Sequence, residues 1–167
     1  MTIWHCGNYG AEMQTYATVK ALRKLGHDVE VIDFRLFESN HSLRSIVGRF
    51  LNAITPAQRS FEYFWKKYIK NISCHYHNVA ELRNNPPTAD VYLVGSDQVW
   101  NEDITGEKSA AYLLDFGSDN VKRISYASSI GVSEWNFSQS YTGKVSEQFK
   151  KFDAFWQKDN RAFDSLG

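Results

Sequence analysis

The sequence predicts an α/β fold, a parallel sheet flanked by helices, and three observations carry that expectation. Short β-branched and aromatic runs, "HDVEVIDF" (27–34), "VYLV" (91–94) and "RISYASSIG" (123–131), alternate with stretches of helical periodicity. Their length is that expected of buried parallel strands. Glycines stand directly after candidate strands in "CGNYGAE" and "LVGSDQVWN", at the rim where open α/β sheets gather ligands, outside the carboxyl ends of their strands.

Each element follows from local pattern. "TIWHC" (2–6) reads as the surviving end of a first strand, clipped at its beginning. From Gly10 to Leu25 the residues Met13, Tyr16, Ala17, Ala21, Leu22 and Leu25 form a stripe at intervals of three and four, and Gly26 closes the helix. Val29, Val31, Ile32 and Phe34 then make a buried strand. Residues 40–85 hold "SLRSIVGRFLNAI", a helix start at Pro56, "AQRSFEYFWKKYIKNI" and "VAELRN", a helical excursion of two or three helices between strands. After Pro86 and Pro87, Val91 to Val94 form a central strand that stops near Gly95. "AAYLLDF" suits a strand or a short helix, "RISYASSIG" a strand ending in a glycine turn, "YTGKVSEQFKKF" a helix, and "DAFWQKD" a last strand.

With 167 residues, 43% of them hydrophobic, the chain is expected to build one domain, since a domain usually takes about 100 to 150 residues. Lys plus Arg and Asp plus Glu balance at 19 each, so net charge points neither to nucleic acid nor to an anionic membrane. A small molecule or a protein is the expected partner, and any membrane contact is at most peripheral, because no apolar run approaches the roughly 20 residues of a spanning helix. Five Trp and nine Tyr suit flat-faced ligands such as sugars and suit ordinary cores equally. Cys6 and Cys74 are the only cysteines and no leader is evident, which implies reduced thiols and a cytoplasmic location.

Two stretches carry candidate site residues. In "CGNYGAE", Gly7 and Gly10 bracket a strand-to-helix turn whose N–H groups could receive an anion or a sugar hydroxyl; the alternative is a tight turn with Asn8 as the helix cap. In "GSDQVWN", Ser96, Asp97, Gln98 and Asn101 can bond hydroxyls, Asp97 can act as a base and Trp100 offers a stacking face. Here the alternative has Asp97 capping the next turn and Trp100 filling the core. Cys74, His75 and His77 in "CHYH" lack the well-separated second ligand pair of a zinc site, so no metal is expected. The basic and aromatic residues of "KKYIK" read as the two faces of a helix in preference to a nucleic-acid surface.

Taken in order, "NYGAEMQTYATVKALRKLGHDVEVIDFR", "ADVYLVGSDQVWN", "YLLDFGSDNVKRISYASSIG" and "FKKFDAF" resemble the N-terminal half of the polysaccharide pyruvyl transferase family across essentially the whole chain. The resemblance implies a Rossmann-like domain, the first of two in a glycosyltransferase-like (GT-B-like) architecture, truncated at its C-terminal side. It implies transfer of a pyruvyl group from phosphoenolpyruvate, as donor substrate and without a cofactor, to a sugar or lipid-linked oligosaccharide acceptor in exopolysaccharide biosynthesis. Asn8, Tyr9 and Gly10 would then shape the cleft floor, Asp97 would be catalytic, and Ser96, Gln98, Trp100 and Asn101 would face the acceptor. The donor-binding arginines and the proposed acid histidine belong to the family's other half, so little or no turnover is expected of this chain alone. Where relatives tend to read Ser-x-Arg-Glu, this chain has Trp156, Gln157, Lys158 and Asp159. A non-catalytic sugar-binding or assembly remnant and a nucleotide-sugar glycosyltransferase are the rival readings.

Overall fold

The structure, a computed structural model, describes residues 1–4, 8–37 and 56–157. They fall into two compact units, one of Ile3–His77 and the other of Met1–Thr2 together with the chain from Asn78 onward. Both are α/β, with parallel strands joined through helices in a Rossmann-like manner.

In the first unit, α1 (Tyr9–Lys24), β1 (Val31–Phe34), α2 (Pro56–Phe64), a π-helical turn (Trp65–Ile69) and β2 (Ile72–Tyr76) follow one another. Asn8 caps α1 through its side-chain oxygen, and the helix closes on Leu25 with Gly26 in the left-handed region at φ 92°. The Gly26 N–H donates to Arg23 O and the His27 N–H to Leu22 O, the paired bonds of a Schellman ending. The helix is thus where its sequence pattern puts it, but its buried face is not. Met13 and Leu25 are exposed, whereas Ala11, Glu12, Thr15 and Val19 are buried. That face tolerates two polar residues because both are satisfied: the Trp65 indole N–H donates to Glu12 Oε2 at 2.6 Å, and the Thr15 hydroxyl donates to Ala11 O. Val19 joins Trp4, Val31, Phe61, Trp65 and Ile69 in the core, where Trp4 and Trp65 meet edge to face at 5.3 Å.

β1 is fully buried and pairs in parallel with β2, with Asp33 opposite His75 and Phe34 opposite Tyr76. β2 corrects the expectation of a purely helical excursion. Its residues ISCHY carry too few apolar groups to announce a strand, and only Tyr76 is buried. The expected helix "SLRSIVGRFLNAI" lies outside the described residues.

In the second unit come α3 (Val79–Asn84), β3 (Val91–Gly95), α4 (Glu102–Thr105), a 3-10 turn (Gly106–Lys108), α5 (Ser109–Tyr112), β4 (Lys122–Ser128), α6 (Gln139–Phe149) and β5 (Ala154–Gln157). The three strands pair in parallel in the order β3-β4-β5. The Met1 amine donates to Leu93 O and Met1 O accepts from Gly95 N. Of the expected opening strand, Thr2, Ile3 and Trp4 form no strand and residues 5 and 6 lie outside the description. "AAYLLDF" turns out helical, ending where Leu114 adopts φ 55°.

Burial on this sheet alternates instead of covering both faces. Tyr92, Val94, Arg123 and Ser125 are buried, while Val91, Tyr126 and Trp156, in the intervening register rows, are exposed. On the covered side Tyr141 of α6 donates its hydroxyl to Trp100 O at 3.0 Å. Burial pushes the Tyr141 hydroxyl well above the ordinary tyrosine range. An unfolded tyrosine ionises near pH 10, roughly its free value, so the folded protein alone keeps this proton as pH rises further. Stability is therefore expected to be flat in this term below about pH 10 and to fall above it. Urea midpoints measured from pH 8 to 11 should drop more steeply for the parent than for Tyr141→Phe, which starts about 1 kcal/mol lower through the lost hydrogen bond. Parallel curves would show that Tyr141 ionisation has no part in the alkaline loss.

Candidate functional site

At the carboxyl end of β3 the chain is zipped onto the segment that leaves β4. The Ser96 N–H donates to Tyr126 O at 2.8 Å, the Ser129 N–H to Asp97 O at 2.9 Å and the Trp100 N–H to Ser129 O at 3.3 Å. Such close approach depends on Gly95, at φ 149°, where a Cβ would stand 1.9 Å from Tyr126 O. Beneath the loop the Ser125 hydroxyl donates to Ser128 Oγ, and the Ser128 hydroxyl to Val94 O. Ser96 at φ 62° and Ala127 at φ 50° take left-handed backbone without being glycine. Conformations of this kind cost about 1 kcal/mol or more and persist where surrounding bonds hold them, often at functional sites.

This zipper sorts the five expected residues of "GSDQVWN" into surface and interior. Ser96 and Asp97 are half-buried and Gln98 is exposed. Asp97 Oδ1 accepts the Gln98 N–H at 2.7 Å, which holds the carboxylate at the rim without burying it. The Gln98 side chain lies over Gly131, whose φ is 74° and whose Cβ would fall 2.3 Å from Gln98 Cδ. Trp100 and Asn101 go inward, a correction to their expected place against a sugar. Trp100 is 0% exposed. Its indole N–H donates to Tyr112 O, and its ring packs 4.7 Å from Phe149, so no face is left for stacking. Asn101 is buried and caps α4 by accepting the Asp103 N–H.

An aromatic platform does exist at the rim, from residues that the sequence did not single out. Tyr126 on β4 lies in register with Gly95 on one side and Trp156 on the other. The two rings lie 6.4 Å apart and are 49% and 68% exposed. Nothing in either local pattern marks them, because the strand register alone brings together residues so far apart in sequence.

In the other unit, Asn8 Oδ1 accepts the Gly10 N–H at 2.8 Å, so the cap fills one of the donors that could have met a ligand. Tyr9 is 67% exposed and its ring rests on Phe61 at 4.7 Å. Gly10 is exposed, and a Cβ there would press on Asn8 Oδ1 at 3.1 Å. A second cluster, at the carboxyl ends of β1 and β2, joins His75 and His77 of "CHYH" to Asp33 and Arg35, a grouping not drawn from the sequence. Arg35 holds Asp33 through two bonds of 2.9 Å, His75 Nδ1 stands 3.2 Å from Asp33 Oδ2, and His77 packs edge-on against His75. The signal was available, since residues two apart at a strand end share a side. Cys74 is exposed while its neighbour His75 turns to Asp33, as expected of successive strand residues that face opposite ways.

A family model described as polysaccharide pyruvyl transferase matches residues 8–156, a span that includes both Asn8–Gly10 and the rim from Gly95 to Gly131. No curated protein and no solved structure matches the chain.

Proposed function

The chain belongs to the polysaccharide pyruvyl transferase family, and from that membership we propose that it forms the acceptor side of an enzyme transferring a pyruvyl ketal from phosphoenolpyruvate to a sugar. The observation that carries this reading is the rim itself. Backbone bonds hold the loop after β3 rigid while Ser96, Asp97 and Gln98 stay at the surface, beside the exposed Tyr126 and Trp156. Carboxylate, amide and hydroxyl groups beside aromatic faces are the equipment for binding a polyol.

In the proposed reaction the first sugar hydroxyl adds its oxygen to C2 of the enol phosphate and gives its proton to a base, while an acid delivers a proton to C3. The second hydroxyl then attacks C2, phosphate leaves with the C–O bonding pair, and a base takes the hydroxyl proton. In this reading Asp97 takes a hydroxyl proton, and Ser96 and Gln98 orient the diol. Charge on the departing phosphate calls for cationic groups, which this reading assigns to a second domain. The exopolysaccharide acceptor and the cytoplasmic setting belong to the same proposal. Among the described residues no helix is long and apolar enough to cross a membrane.

The test is to incubate the purified chain with phosphoenolpyruvate and a panel of hexoses, following phosphate release and the ketal methyl signal by proton NMR, with saturation-transfer spectra for binding. Sugar binding without turnover is expected, weakened at least about tenfold in Asp97→Ala if its charge-assisted bonds hold the diol. Absence of any sugar signal at millimolar concentrations would remove the acceptor role, and steady ketal formation would remove the need for a second domain.

The exposed Val91, Tyr126 and Trp156 on one side of β3-β4-β5 favour one other reading, a non-catalytic assembly module that docks through this apolar face. Concentration-dependent self-association, abolished by Trp156→Ser with sugar binding unaffected, would favour it over the enzymatic reading.

A further inference from the structure

A separate surface in the unit Ile3–His77 joins cations to tyrosines. Tyr16 and Lys20 stand four residues apart on α1. Tyr63 and Lys67, and Phe64 and Tyr68, stand four apart across α2 and its π-helical turn. This spacing sets side chains beside one another on a helix. Lys20 Nζ lies 5.5 Å from the Tyr16 ring, and Lys67 Nζ lies 5.3 Å from Tyr63 and 5.2 Å from Tyr68. Tyr16 meets Phe64 edge-on at 5.5 Å and Tyr68 at 5.7 Å, which fuses the contributions of the two helices into one cluster. Tyr63 is 63% and Tyr68 41% exposed.

Charge is segregated here although the whole chain is neutral. Arg59, Lys66, Lys67 and Lys70 face a single acid, Glu62, between positions 59 and 70, and all five side chains are exposed. We propose that this cationic, tyrosine-bearing face seats the protein on an anionic phospholipid surface. Tyrosine rings with polar tips lie comfortably at headgroup depth, and lysines reach the phosphates. Single-stranded nucleic acid fits less well, because it needs open ring faces on which bases can stack. Lysine ammoniums stand over Tyr16, Tyr63 and Tyr68, and neighbouring rings cover the rest of the Tyr16–Phe64–Tyr68 contact. The proposal does not depend on the pyruvyl transfer reading.

The full chain is mixed with phosphatidylcholine vesicles containing about 30 mol% phosphatidylglycerol, and with pure phosphatidylcholine vesicles, then sedimented; the contrast isolates the anionic surface. Binding to the anionic vesicles alone is expected, reversed by about 1 M salt. A lysine at such a surface is worth about a fivefold change in partitioning, so Lys20→Gln/Lys67→Gln should weaken binding roughly 10- to 25-fold. Lys144→Gln/Lys150→Gln, exposed on or just after α6, should change it less than about twofold. Equal sedimentation with both vesicle types, equal losses in the two double variants, or displacement by a short single-stranded oligonucleotide would each overturn the proposal. All four substitutions are at exposed positions, and an unchanged circular dichroism spectrum and melting midpoint will show that a loss of binding is not a loss of fold.

Discussion

Gly95→Ala is expected to destabilise the unit holding β3 and β4 by at least about 3 kcal/mol, enough to abolish cooperative unfolding in a marginally stable domain. Two independent costs combine. Gly95 sits at φ 149°, and its added Cβ would stand 1.9 Å from Tyr126 O and 2.8 Å from Tyr126 C, both backbone atoms that no rotamer change can move. Relief requires the ends of β3 and β4 to part. That would break the Ser96–Tyr126 and Asp97–Ser129 backbone bonds which hold the rim. Gly26→Ala is the control, because Gly26 also has a positive φ, 92°, but has nothing within 4 Å of its Cβ position. Backbone strain alone should cost Gly26→Ala about 1 kcal/mol. Urea unfolding of the two variants checks the contrast. Comparable midpoints would mean that β3 and β4 do not approach as closely as described.

Arg123→Met is expected to cost about 3 to 5 kcal/mol although the new side chain is apolar and of similar length. Arg123 is 3% exposed, and its guanidinium donates to Leu114 O, Val121 O, Phe116 O and Ser118 O. One side chain thus satisfies four carbonyls of the segment that turns from α5 into β4. Methionine would leave them without a donor in a place that water reaches poorly. Arg123→Lys should recover less than half of the loss, since an ammonium cannot span four acceptors in the plane of a guanidinium fork. Chemical unfolding with tryptophan fluorescence is the measurement, and a cost below about 1 kcal/mol for the methionine variant would contradict this account. The destabilisation should reach the rim too, because β4 supplies Tyr126 and the segment that clasps Asp97.

Much of the architecture was legible because the elements that define it are local. Asn8 before α1, Gly26 after it and Gly95 at the end of β3 act through bonds within a few residues or through their own φ, and such signals survive in a single sequence. β2 was hidden for an equally local reason, since ISCHY is short, polar and follows a helix rich in lysine. The rim was legible in part. Its position after the strand followed from the α/β pattern, and Ser96, Asp97 and Gln98 are at the surface there. Trp100 was open between a stacking platform and a core filler, and residue type could not decide. Its ring went to Phe149 on α6, while Tyr126 and Trp156 took the exposed places.

The sequence by itself determined α1 and both its ends, the strands β1, β3 and β4 and their parallel direction, and the family to which the chain is akin. Only the tertiary structure decided which side of α1 is buried, that Glu12 is held by Trp65, that Arg123 ties four carbonyls together, and which aromatics meet solvent. The physical reason is that capping and periodicity are set by neighbours along the chain. Burial instead depends on what folding brings opposite a residue, from 53 positions away for Glu12 and Trp65, and no local window contains that partner.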